Sequence, residues 1–197
     1  MLIFGHAGVT LGAGVILKGV ITRNYSLQPR VNKVTDESKG RGLTFLEKID
    51  TRLLLIGSLL PDIIDKPVGQ FFFRDSLSNG RIFCHTLAFL LLITLGGFYL
   101  YRSRGKTWLL VLSFGTLTHL LCDQMWLARQ TLLWPAYGWA FQRYDLTYWL
   151  QNIFYALRTD PAVYVPELVG IAVLIWFALM LVRRGKVYAF IRNGRVL

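Results

Sequence analysis

Gly57-Ser58-Leu59-Leu60-Pro61-Asp62-Ile63-Ile64-Asp65-Lys66 is the stretch that decides how this chain is read. An apolar run from Leu53 meets a proline, and two carboxylates follow at once, three residues apart. Carboxylates in so apolar a context are costly to bury without a partner. Pro-Asp is also common turn chemistry, and Asp is a good helix cap. Taken alone, the stretch is either a cap or part of a site, and the rest of the chain has to choose.

Working outward, the chain has 197 residues, 54% of them hydrophobic, with a mean hydropathy of +0.44. The apolar residues come in long blocks, which points to an integral membrane protein rather than one soluble domain. A net charge of +11 would suit a nucleic-acid binder. In a membrane protein, basic loops that set orientation and meet anionic headgroups account for it, so no nucleic acid is expected as a partner. Cys84 and Cys122 both lie in apolar segments, with no CxxC pair. Free thiols are therefore expected, not a disulfide framework or a thiolate zinc site. No basic region or small-residue cleavage site accompanies the first apolar run, so the N-terminus is expected to be retained.

Five apolar segments follow one another: Phe4 to Ile21, Leu53 to Ile64, Ile82 to Tyr101, Trp108 to Leu127, and Glu167 or Leu168 to Val182. The first carries Gly5, Gly8, Gly12, Gly14 and Gly19, which suits close helix packing within the chain or between chains. The second is short. Twelve residues of helix cover roughly 18 Å, against a hydrocarbon core of roughly 30 Å, so this segment begins earlier, continues past Pro61 or sits inside a bundle, and a helix broken at Pro61 beside a polar pocket is the reading favoured. Residues 23 to 52 are polar and basic, with a surface loop from Asn32 to Gly42 and a short interfacial helix from Leu43 to Ile49. Phe71-Phe72-Phe73 sits in a loop at headgroup level, and residues 128 to 165 form a longer loop rich in Trp and Tyr. The expected fold is all-α, an integral membrane bundle of about five helices. Residues 1–182 form the membrane-embedded domain and 183–197 a basic cytoplasmic tail.

The positive-inside rule orients this scheme. The C-terminal tail holds Arg183, Arg184, Lys186, Arg192 and Arg195 and no acid. It is placed in the cytoplasm, which puts turn 102–106 and segment 23–52 inside and the N-terminus outside. Placement by Lys and Arg alone then brings His6, Asp62, Asp65, His85, His119 and Asp123 to one level near the outer face. His119 and Asp123 are four residues apart and share a helix face, as do Asp62 and Asp65, three apart. Imidazole with carboxylate is the ligand set of hydrolytic zinc, manganese or iron sites, and this set is large enough for one or two ions. No nucleophilic-serine motif or phosphate-binding glycine loop is present.

Gly5-His6, Leu60-Pro61-Asp62-Ile63-Ile64-Asp65, Arg81-Ile82-Phe83-Cys84-His85-Thr86, Thr118-His119-Leu120-Leu121-Cys122-Asp123 and Leu133-Trp134-Pro135 resemble the bacterial membrane-bound metal-dependent hydrolases. That family is known for its LexA-regulated inner-membrane members, and the resemblance covers roughly residues 1–140. The family is grouped with zinc-dependent phospholipase C and single-strand nucleases, which implies a phospholipase C-like metal site built into a membrane bundle. By motif, the resemblance implies His6, Asp62, His85, His119 and Asp123 as metal ligands. Many members place the second acid two residues after the first and follow it with histidine. Here Ile64 intervenes and Lys66 stands in the histidine's place, so Asp65 is either a ligand or a support for one.

The expected function is a metal-dependent hydrolase in the inner membrane, acting on a phosphoester or lipid-linked phosphate at the outer leaflet. Zinc is the expected metal, with manganese or iron as alternatives. Asp62 and Asp65 are the expected catalytic carboxylates, Asp65 as general base. Arg81 and Lys66 would hold phosphate oxygens, and membrane lipids surround the chain. Two other readings remain open: a transporter using the His/Asp set as a metal or proton relay, and a non-catalytic protein whose His/Asp contacts lock helices together.

Overall fold

The computed structural model describes residues 1–27, 49–139, 141–145 and 147–196. The loop expected from Asn32 to Gly42 and all but the last residue of the short helix expected from Leu43 to Ile49 lie outside the described residues. Those described are helical wherever regular, with no strand among them. In chain order the helices are α1 (Ile3–Leu27), α2 (Thr51–Pro67), α3 (Leu87–Arg104), α4 (Trp108–Cys122), α5 (Arg129–Leu132), α6 (Trp149–Thr159), α7 (Pro161–Arg183) and α8 (Val187–Asn193). Among the described residues, two stretches are long and apolar enough to cross a membrane, Ile3–Arg23 in α1 and Pro161–Arg183 in α7.

Local chemistry sets the helix ends. Asp160 caps α7 by accepting from the Ala162 N–H, and Pro161 takes the first turn, where no donor is needed. Thr86 caps α3 by accepting from Phe89. At the other end of α3, Gly105 adopts φ +63°, a left-handed stop that glycine reaches without strain. α4 ends at Cys122, earlier than the expected Leu127, so Asp123 stands just past its last turn.

The break expected at Pro61 is absent. α2 runs through it to Pro67, so its 17 residues cover roughly 26 Å. Proline cannot donate to the carbonyl four residues back, that of Gly57. Thr116 of α4 offers its hydroxyl to that oxygen instead, at 3.4 Å. The two helices are close enough for this because both are glycine at the crossing. A Cβ on Gly57 would lie 2.6 Å from the Leu112 carbonyl oxygen, and one on Gly115 would lie 2.6 Å from Gly57. α1 and α7 meet in the same way, with Gly8 against the Gly170 backbone. α1 also packs on α2 and α4, and α4 packs on α3.

The start of α7 differs from expectation, and the C-terminal segment adds to the packing. α7 begins several residues before Glu167, which is buried inside the helix rather than marking its edge. Glu167 accepts hydrogen bonds from the Leu2 and Phe4 N–H groups at 2.6 and 3.1 Å, and so caps α1 from the side. The basic C-terminal segment packs against the helices. α8 turns back, and Val196 is buried with Leu11, Phe177 and Leu181. The Thr51 N–H donates to the Gly194 carbonyl at 2.9 Å, tying this segment to the start of α2. The starts of α1, α3 and α7 and the ends of α2 and α4 are thereby gathered at the opposite pole.

Candidate metal centre

At that pole α1 supplies His6, α2 supplies Asp62 and Asp65, and the turn before α3 supplies Arg81 and His85. α4 supplies His119, with Asp123 as its cap. All three imidazoles are fully buried. Among the described residues, His6, Asp62 and His119 form one group with ligand atoms within 4.8 Å of one another, and His85, His119 and Asp123 form a second. His119 belongs to both.

The imidazoles are aimed by what holds their outer nitrogens. His119 Nδ1 lies 2.6 Å from the Ser58 carbonyl oxygen, which only accepts, so this nitrogen carries the proton. His85 Nδ1 lies 2.7 Å from Asp65 Oδ2. Asp65 also accepts from the backbone N–H groups of Ile82, Cys84 and His85, at 2.9, 3.0 and 3.2 Å. Its oxygens act as acceptors in these contacts, so His85 Nδ1 is read as a donor as well. Both Nε2 atoms therefore point inward, and they face each other at 3.2 Å.

In their neutral forms these two nitrogens would oppose lone pair to lone pair, away from water. A cation between them removes the conflict. Two nitrogens on one tetrahedral zinc ion are separated by roughly 3.3 Å, close to the observed spacing. His6 adds a second sign. It stacks on His119 with ring centroids 4.0 Å apart. Its Nε2 lies 3.1 Å from Asp123 Oδ1, but out of line for a hydrogen bond, and both of its buried ring nitrogens lack hydrogen-bond partners. Buried polar atoms are rarely left so. The donor set and these orphaned nitrogens fit a divalent ion.

The carboxylates divide their oxygens. Asp62 Oδ1 lies 3.5 Å from His85 Nε2 and 3.9 Å from His119 Nε2, while its Oδ2 accepts from Lys66 at 2.6 Å. Asp123 Oδ2 pairs with Arg81 at 2.8 Å, and its Oδ1 meets the Met1 amine at 3.1 Å. Lys66 and Arg81 thus each lean on a carboxylate of the cluster. They also line a cleft of about 450 Å³ together with Gln70, Asn79, Tyr144 and Trp149. Asp145 is at its edge, where hydrogen bonds from the Thr147 hydroxyl and N–H hold its carboxyl below the usual range.

Five of the residues read as ligands, His6, Asp62, His85, His119 and Asp123, come together in these two groups. Asp65 stands elsewhere. It is fully buried behind His85, and its oxygens are taken by that ring and the 82–85 backbone, so it is not placed to exchange protons with a substrate. The sequence reading did not single out Glu167 or the Ser58 carbonyl. Glu167 had a signal, being a lone acid in an apolar run. The carbonyl had none.

A family model for the YdjM inner membrane protein matches residues 1–190. No curated protein and no solved structure matches the chain.

Proposed function

Since the chain belongs to the YdjM inner membrane protein family, we propose that it is a membrane-embedded, metal-dependent hydrolase of phosphate esters. The observation that carries the reading is the pair of inward Nε2 atoms of His85 and His119, 3.2 Å apart, with unpartnered His6 beside them. His6, His85, His119, Asp62 and Asp123 would hold one or two ions, zinc by ligand type, with manganese or iron as alternatives. Such an ion, when bound, lowers the pKa of water and offsets charge on a phosphoryl group.

The other residues have roles of their own. Asp65 and the Ser58 carbonyl fix the tautomers and directions of His85 and His119. Lys66 and Arg81, at the boundary of cluster and cleft, would take phosphate oxygens. With Asp65 enclosed, Asp62 would act at the cluster as a ligand through Oδ1, which faces the imidazoles, while its Oδ2 stays on Lys66.

On this reading α1, α2, α3, α4 and α7 cross the inner membrane, with the N-terminus outside and the C-terminus in the cytoplasm. Residues 1–182 are the embedded domain, with the site at the outer leaflet. Elemental analysis of the purified protein tests the proposal. Near-stoichiometric metal, lost in His85→Ala and His119→Ala, is the expected result. Metal-free wild-type protein of undiminished thermal stability would sink it. That outcome would favour the competing reading, in which a shared proton on the same histidine pair locks the helices together.

A further inference from the structure

We infer that Glu167 is a positioning residue for the histidine cluster, holding His6 in place through the first turn of α1. The inference rests on the metal reading for its effect on affinity, but not for the placement of the ring.

The three imidazoles are not held alike. His85 and His119 are each aimed by an acceptor on Nδ1, Asp65 for one and the Ser58 carbonyl for the other. The Nδ1 of His6 has no hydrogen-bond partner among the described residues. The ring stacks on His119, and otherwise its place is set by the backbone that carries it. That backbone is the first turn of α1, where N–H groups have no partner within the helix. The turn contains no acid. Leu2, which precedes the helix, has no side-chain acceptor with which to cap it.

Glu167 of α7 supplies the acceptors from outside. Its Oε1 takes the Leu2 N–H at 2.6 Å and its Oε2 the Phe4 N–H at 3.1 Å. The Leu2 carbonyl in turn accepts from the His6 N–H at 3.2 Å, which fixes the His6 backbone. Two glycines make the approach possible. A Cβ on Gly5 would lie 2.5 Å from Glu167 Oε1, and one on Gly170, a turn further along α7, would run into the Phe4 carbonyl. Gly5, the neighbour of His6 in sequence, thus makes room for the acid.

Joining α1 to α7 does not itself need an acid, because Gly8 and Gly170 already bring the two backbones together. A buried carboxyl in an apolar helix is costly, and Glu167 is 4% exposed. Among the described residues it also stands outside both groups of candidate ligands. What its two oxygens do is close the turn that carries the histidine with no outer anchor of its own. It serves His6 through the backbone, as Asp65 serves His85 through the ring.

The test uses full-length protein in nonionic detergent. After chelator treatment, diethyl pyrocarbonate labelling of His6, His85 and His119 is followed residue by residue by mass spectrometry. Glu167→Gln keeps the size but turns an amide donor toward one of the two N–H groups. It is expected to speed labelling of His6 about tenfold by local opening of the turn, and to leave His85 and His119 unchanged. In metal-loaded protein, competition with a chromophoric chelator should show affinity about tenfold lower. Adding Glu167→Gln to His6→Ala should cost no further affinity. Leu2→Ser, a cap from within α1, should restore both readings in the Gln variant, and it keeps the test open if Glu167→Gln alone is too unstable to purify. Labelling that rises equally at all three histidines, or an affinity loss of the same size with and without His6, would overturn the inference in favour of general loosening of the bundle. So would folding restored by Leu2→Ser while His6 stays uncovered, and unchanged His6 labelling would overturn it outright. Wild-type protein that takes up no metal, with His6 still selectively uncovered in Glu167→Gln, would remove the metal reading and leave Glu167 as the residue that places His6.

Discussion

His85 Nε2 and His119 Nε2 face each other at 3.2 Å, and each ring's Nδ1 is already committed, one to Asp65 and the other to the Ser58 carbonyl. Their closeness is therefore stable only with positive charge between or upon them. A metal ion and a proton are the two candidates, and they compete. Imidazole must be neutral to bind metal. Protein purified at pH 8 and dialysed stepwise to lower pH should lose its metal in acid, as protons displace the ion from the imidazoles. Elemental analysis across that series reads the outcome. Metal retained at pH 4 would argue against the imidazoles as ligands.

Asp65 touches His85 from outside the cluster. Asp65→Asn keeps the shape but weakens the acceptor for His85 Nδ1. A lost support of this kind typically costs 10–100-fold in metal affinity, which competition with a chromophoric chelator would measure. The same variant should lower thermal stability in metal-free protein too. Asp65 also satisfies the Ile82 and Cys84 N–H groups, and a buried donor left unpaired costs about 1–3 kcal/mol. If Asp65→Asn changed affinity but not metal-free stability, the packing account of the 82–85 turn would be wrong.

Gly8 and Gly19 lie on the same helix and should respond in opposite ways. A Cβ on Gly8 would run into the Gly170 backbone, whereas one on Gly19 would meet nothing within 4 Å. Gly8→Ala has to push α1 from α7 and should destabilise by about 1–3 kcal/mol. Gly19→Ala only removes chain freedom from the unfolded state and should be neutral or stabilising by up to about 1 kcal/mol. Thermal melts of the two variants in one detergent make the comparison.

Asp50 links the start of α2 to the C-terminal segment. It accepts from the Arg52 N–H and guanidinium, while Arg52 Nη1 donates to the Ile191 carbonyl at 2.7 Å. Burial opposes ionisation of Asp50, but the hydrogen bonds and charge of Arg52 outweigh it, and the carboxyl sits below its usual value. A lowered folded value means the stabilisation is present above the unfolded carboxylate pKa of about 3.9. It is lost as pH falls through the folded value. Limited proteolysis should therefore find the C-terminal segment protected at neutral pH and released in acid. Asp50→Ala should release it already at pH 7, at the cost of a lost cap, about 1 kcal/mol.

Much of the site was legible before any fold was known. Three histidines in a strongly apolar chain are conspicuous, and the basic loops alone brought them to one level. Coarse depth needs only charge bias and segment lengths, both properties of the chain as written. Pro61 was misread because a proline's local effect is to break a helix. A helix continues through it when a neighbour satisfies the freed carbonyl, as Thr116 does for Gly57.

The sequence by itself determined the all-helical class, the membrane setting and which histidines and aspartates to examine. Those follow from hydropathy blocks, charge bias and residue chemistry at short spacing. Tertiary structure alone decided that Asp62 and Asp123 stand at the cluster while Asp65 stands behind His85, and that Lys66 and Arg81 join the cluster to a cleft. It also decided that a carbonyl and a carboxylate turn two Nε2 atoms toward each other. Such assignments depend on which side chain reaches which atom across helices far apart in sequence, and a one-dimensional pattern holds no record of that approach.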